Sequence, residues 1–62
     1  TPNKYIQNLR IERAKELLKF DDLSINLIAY EVGYEDVSYF GSLFKRLEGS
    51  TPNSYRKSFR GE

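Results

Sequence analysis

Gly33 and Gly49 set the outline of this chain. Each closes a run of apolar residues at helical spacing, and each is followed within three positions by a side chain able to cap a new helix, Asp36 after the first and Thr51 after the second. The pattern predicts short helices joined by tight turns. Upstream, Thr1-Pro2 offers a hydroxyl cap and a proline at a tolerated first position, so a helix runs from about Pro2 to Lys19. Asp21-Asp22 interrupts the periodicity, and Ser24 caps a short helix from Ile25 that ends at Gly33. Asp36 opens a third helix, from about Val37 to Glu48, and Thr51-Pro52 a fourth, from about Pro52 to Phe59. No segment sustains the two-residue alternation of a half-buried strand, so the expected fold class is all-α.

The apolar stripes say what these helices pack against. In the third, Phe40, Leu43, Phe44 and Leu47 fall at i, i+3, i+4, i+7 and form the expected buried face, leaving Val37, Ser38, Gly41, Ser42 and Lys45 off it. In the first, Ile6, Leu9, Ile11, Ala14, Leu17 and Leu18 spread over an arc of roughly 200°, wider than one neighbour needs. Arg10 and Arg13 are embedded in that arc. Arg10 is expected to pair with an acid from the segment that follows or from a neighbouring unit.

A chain of 62 residues makes one small domain, and the absence of Cys and His removes disulfides, zinc fingers, Cys or His nucleophiles and the usual general base. Metalloenzyme and triad readings are excluded, and no cofactor is expected. No stretch of about 18 apolar residues exists, which points to a soluble, cytoplasmic chain without a membrane partner. Asp21-Asp22 reads as a solvated linker rather than a metal pair. Ser24 has no base to activate it and reads as a cap. Tyr34 and Tyr39 read as packing residues rather than a platform for stacked bases.

The net charge of +1 hides a sorted distribution: residues 1–19 carry +3, residues 20–36 carry −5 with no base, and residues 37–60 carry +4. An internal repeat is equally informative. Thr1-Pro2-Asn3-Lys4-Tyr5 returns 50 residues later as Thr51-Pro52-Asn53-Ser54-Tyr55, with Leu9 matched to Phe59 and Arg10 to Arg60. Such a period marks a tandem supersecondary unit. The chain then reads as the second of two units, entering at the tail of the first, and the wide arc of helix 1 agrees, because a helix shared by two units buries two faces.

A helix, a short glycine-containing turn and a second helix with a small-residue outer face is the outline of a helix-turn-helix. Ala29, four residues before Gly33, suits a close helix crossing. The outward positions at the start of the third helix are small or uncharged, Lys45 and Arg46 follow one turn later, and the helix dipole favours phosphate at the N-terminal end. The third helix reads as one that enters a groove.

The run Tyr5-Ile6, Arg10-Ile11, Ala14, Leu17-Leu18, Ser24-Ile25, Ile28-Ala29, Val32-Gly33-Tyr34, Asp36, Ser38-Tyr39-Phe40, Phe44-Lys45, Gly49, Thr51-Pro52 and Tyr55-Arg56 resembles the C-terminal half of the AraC/XylS DNA-binding domain over nearly the whole chain. The resemblance implies a bacterial transcription regulator, mostly an activator in this family, with effector and dimerisation domains elsewhere. It implies a single DNA-binding subdomain over residues 1–62. A long linker helix occupies 1–20, and a helix-turn-helix unit with a homeodomain-like three-helix core and a short C-terminal helix occupies 24–60.

Carried over by position, the base-facing residues are Val37, Ser38, Gly41 and Ser42, and the phosphate contacts are Ser24, Lys45, Arg46 and Arg56. The partner that the resemblance implies is double-stranded DNA. Val37 offers apolar contact, for example to a thymine methyl, while Ser38 and Ser42 donate or accept with little selectivity. No Arg, Asn or Gln stands in these four places, so affinity is expected to come largely from phosphates and DNA shape. The weak base-reading set and the acidic middle segment leave a second reading open, a protein-contact surface toward RNA polymerase with DNA read by the first unit.

Overall fold

The computed structural model describes residues 4–61 and contains four helices in that span: α1 (Lys4–Phe20), α2 (Ile25–Glu31), α3 (Val37–Glu48) and α4 (Pro52–Arg60). The expected start of the first helix at Thr1-Pro2 lies outside the described residues. The other three starts are capped by the expected side chains. Ser24 Oγ accepts from the Leu27 amide at 3.2 Å, Asp36 Oδ1 from the Tyr39 amide at 3.1 Å and Thr51 Oγ1 from the Ser54 amide at 3.1 Å.

The turn between α2 and α3 is closed by a double hydrogen bond. The Tyr34 amide donates to the Ala29 carbonyl at 2.8 Å and the Gly33 amide to the Tyr30 carbonyl at 3.1 Å, with Gly33 at φ 101°. This is the Schellman arrangement, which satisfies two orphan carbonyls and needs a left-handed residue one position past the cap. The cap itself is Val32, and Gly33 is that next residue.

Ten apolar side chains make the core: Ile11, Ala14, Leu17 and Leu18 from α1, Ile28, Ala29 and Val32 around α2, and Phe40, Leu43 and Phe44 from α3. Ala29 is fully buried, which fits its expected place at the helix crossing. A chain of ring contacts runs through it, Tyr34–Phe40 at 5.8 Å, Phe40–Phe44 at 5.9 Å and Phe44–Tyr55 at 5.5 Å between centroids. Tyr34 packs as expected, whereas Tyr39 lies tilted against its ring at 5.8 Å and stays 48% exposed.

Two apolar expectations need correction. Leu47 is 43% exposed rather than buried, because the last turn of α3 runs beside the polar first turns of α1 instead of the core. The wide arc of α1 is split: its four residues nearest the C-terminal half are buried, but Ile6 and Leu9 remain 40% and 50% exposed.

Arg10 also departs from expectation. No carboxylate pairs with it among the described residues; its guanidinium lies over the Tyr34 ring, 5.1 Å from the centroid. It passes so close to the turn that a Cβ on Gly33 would sit 3.1 Å from its Cζ.

The C-terminal end of α1 is held by α4. Arg56 donates to the carbonyls of Leu18 at 3.3 Å, Asp21 at 3.2 Å and Leu23 at 2.6 Å. Arg60 donates to the carbonyls of Asp21 at 2.6 Å and Lys19 at 3.4 Å and pairs with the Asp22 carboxylate at 2.9 Å. Carbonyls at a helix end have no intrahelical donor and carry the negative end of the dipole, so two guanidiniums are well matched to them. Asp22 is therefore an ion-pair partner rather than merely solvated. A second tie joins α1 to α3, where Lys15 bridges Glu12 at 2.9 Å and Glu48 at 3.3 Å.

Candidate nucleic-acid interface

α2, the tight turn at Gly33 and α3 make a helix-turn-helix whose second helix buries Phe40, Leu43 and Phe44 and turns the opposite side outward. At about 100° per residue, Ser38, Ser42 and Lys45 fall together on a stripe opposite that core face. All three are exposed. Gly41 lies beside them, and a Cβ added to it would meet nothing within 4 Å. Val37 is half-buried and packs against the core, so it presents an edge rather than a whole side chain.

Lys45 and Arg46 are exposed, and no hydrogen bond or ion pair engages either side chain among the described residues. Ser24 is exposed at the start of α2, with its hydroxyl oxygen accepting the Leu27 amide bond. Arg56 differs from the other expected phosphate contacts. Its Nε and Nη2 donate to three backbone carbonyls at the α1–α2 junction, while Nη1 has no such partner among the described residues, so we assign Arg56 to holding the fold rather than to phosphate.

One set of residues at this end of the fold escaped the sequence reading. Lys4, Gln7 and Asn8 of α1 line a cleft of about 460 Å³ together with Arg46 and Leu47 of α3. They stand some forty residues from Arg46 in sequence, and the one hint available, the absence of any acid from the first turn of α1, is shared by every helix here. Among the described residues no group of three or more His, Cys, Asp or Glu could hold a metal ion, and no helix is long and apolar enough to cross a membrane.

Comparison with known proteins agrees with this geometry. A helix-turn-helix domain family matches residues 1–58. The chain is 44% identical over 57 residues to the HTH-type transcriptional regulator YisR of Bacillus subtilis, covering 92% of this chain and 20% of that protein. It is 36% identical over 59 residues to a Formosa agariphila protein named "Histidine kinase P4", covering 95% of this chain and 4% of that protein. Among solved structures, the C-terminal domain of the two-component response regulator yesN from Fusobacterium nucleatum superposes with a TM-score of 0.84 at 43% identity, covering 86% of this chain and 52% of that one. The chain thus spans a fifth or less of the length of these full-length relatives. Its capped helices, its glycine turn and these matches make it a member of the AraC-type helix-turn-helix family, the DNA-binding domains of bacterial transcription regulators.

Proposed function

We propose that this chain binds double-stranded DNA as part of a bacterial transcription regulator by laying α3 in the major groove. The observation that carries the reading is the outer face of α3, where the exposed Ser38 and Ser42 and the half-buried Gly41, all small, are followed by the uncommitted cations Lys45 and Arg46. A helix with small side chains at its leading turns approaches base edges closely, and cations one turn behind meet the flanking phosphates. Ser38 and Ser42 touch base edges, Gly41 admits the groove wall, and the edge of Val37 suits a thymine methyl. Ser24 and Lys45 grip phosphate on either side. The chain recognises and does no chemistry, and it acts in the cytoplasm, on the nucleoid when bound.

The chain is the second unit of a two-unit domain, residues 1–20 being the linker and 24–60 the unit. The repeat supports this. Ile6 and Leu9, on the first half of α1, are left 40% and 50% exposed by this unit, as a face shared with a preceding unit would be.

The test is affinity for a short duplex across a salt series. Lys45→Ala weakens binding to all sequences alike and lowers the slope of log K against log salt by about one. An unchanged slope refutes the phosphate role of that turn. A second reading has its own observation. α2 turns Leu27 and Tyr30 outward at 51% and 70% exposure inside the acid-rich segment, a surface suited to a protein such as RNA polymerase. Binding to such a partner that survives Lys45→Ala but not Tyr30→Ala supports it.

A further inference from the structure

The basic side chains of this chain divide into two groups. Six have a partner within the chain: Arg13, Lys15 and Arg60 carboxylates, Arg56 carbonyls, and Arg10 and Lys19 aromatic rings. The remaining four, Lys4, Lys45, Arg46 and Lys57, have no such partner among the described residues. Three of these four gather at one place. Lys4 and Arg46 line the cleft between α1 and α3, and Lys45 adjoins Arg46.

The fold accounts for only part of that gathering. Lys45 and Arg46 lie in the last turn of α3, where the helix dipole favours cations. Lys4 lies in the first turn of α1, where the dipole opposes one, and no acid in that turn offsets it. The cleft lining contains no carboxylate either. Beside the two cations it holds two amides, Gln7 and Asn8, and one apolar residue, Leu47. Two like charges on the walls of one cleft, with amide donors and no acid between them, are complementary to an anion.

We infer that this cleft seats a phosphate of the DNA backbone, with Lys4 and Arg46 supplying charge and Gln7 and Asn8 supplying amide hydrogen bonds. The inference rests on the placement of α3 proposed above, since the cleft opens beside the turn that carries Lys45. It makes the first turns of α1 part of the DNA footprint, past the end of the groove-entering helix, rather than a passive connection.

The experiment measures the affinity of the chain for a short duplex across a salt series for the unaltered chain, Lys4→Gln and Lys45→Ala. A thermal melt confirms that each variant is folded; both sites are exposed. If the cleft holds a phosphate, Lys4→Gln lowers the salt slope by about one and weakens binding about five- to tenfold near 0.1 M salt. A slope unchanged by Lys4→Gln but lowered by Lys45→Ala overturns the cleft and leaves the α3 reading standing. Slopes unchanged in both variants overturn the cleft and the α3 reading together.

Discussion

Replacing Gly33 with alanine tests how the turn that sets the α2–α3 angle is held. Two effects oppose the substitution. Gly33 sits at φ 101°, and an L-residue forced into positive φ costs about 1–2 kcal/mol. The new Cβ would also lie 3.1 Å from Arg10 Cζ and 3.2 Å from its Nε, so the guanidinium must move from its place over Tyr34. Losing that contact costs about 0.5–1 kcal/mol. Against this, alanine lowers the entropy of the unfolded chain, which returns about 0.4–1 kcal/mol. The net destabilisation is about 0.5–2.5 kcal/mol, centred on about 1.5, or a fall in Tm of roughly 10 °C at the centre for a domain this small.

Thermal unfolding followed by circular dichroism reads this directly, and Gly49→Ala is the internal control. Gly49 has φ 85° but nothing within 4 Å of the methyl that alanine would add, so it carries the backbone cost without the Arg10 cost. Gly33→Ala should therefore be the more damaging of the two, and the difference should vanish in an Arg10→Ala background. Equal losses at both glycines, with no coupling to Arg10, would refute the reasoning.

Three further outcomes follow from the contacts. Gly41→Ala should raise Tm, because helix-interior alanine is favoured over glycine by about 0.8–1 kcal/mol and the space is open, while weakening duplex binding; a stabilised variant with unchanged affinity removes Gly41 from the groove-facing set. Arg56→Ala should cost about 2 kcal/mol through three lost carbonyl contacts yet leave the salt slope of DNA binding unchanged, and a slope lowered by one would return Arg56 to the phosphate set. Lys15→Gln should lower Tm by about 2–5 °C near neutral pH, as read by melts across pH. The hydrogen bond from Lys15 holds the Glu12 carboxyl below its ordinary range, so that contribution is present above the ordinary carboxylate value and lost as acid titrates through the lowered one. The same bond holds the Lys15 ammonium above its ordinary value, against the opposing effect of burial, so its contribution is present below the ordinary lysine value and lost as pH rises through the raised one. The difference between variant and unaltered chain should therefore shrink at both extremes of pH.

What the sequence makes legible is what local physics decides. Ser24, Asp36 and Thr51 cap their helices because each side chain needs to reach an amide only three residues on. Gly33 is readable for the same reason, as is most of the α3 stripe, which depends on helical period alone. The contacts that escape are those made by long side chains across the fold. Arg56 and Arg60 reach 33 to 41 residues back to the end of α1, and nothing in their spacing distinguishes a guanidinium that caps a helix from one that meets a phosphate. Arg10 lies on a ring rather than a carboxylate because the turn brings Tyr34 beneath it. Leu47 fits the apolar period but lies past the point where α1 offers a greasy neighbour. In the candidate site the α3 positions are legible from the helical wheel, whereas Lys4, Gln7 and Asn8 need the packing of α1 on α3 to join them to Arg46.

The most direct test of the central claim is a two-dimensional amide NMR spectrum of this chain titrated with short duplex DNA at low salt. The account predicts shifts concentrated at Ser38, Gly41, Ser42, Lys45 and Arg46. A well-dispersed spectrum in which those amides stay still while the duplex is added would contradict it.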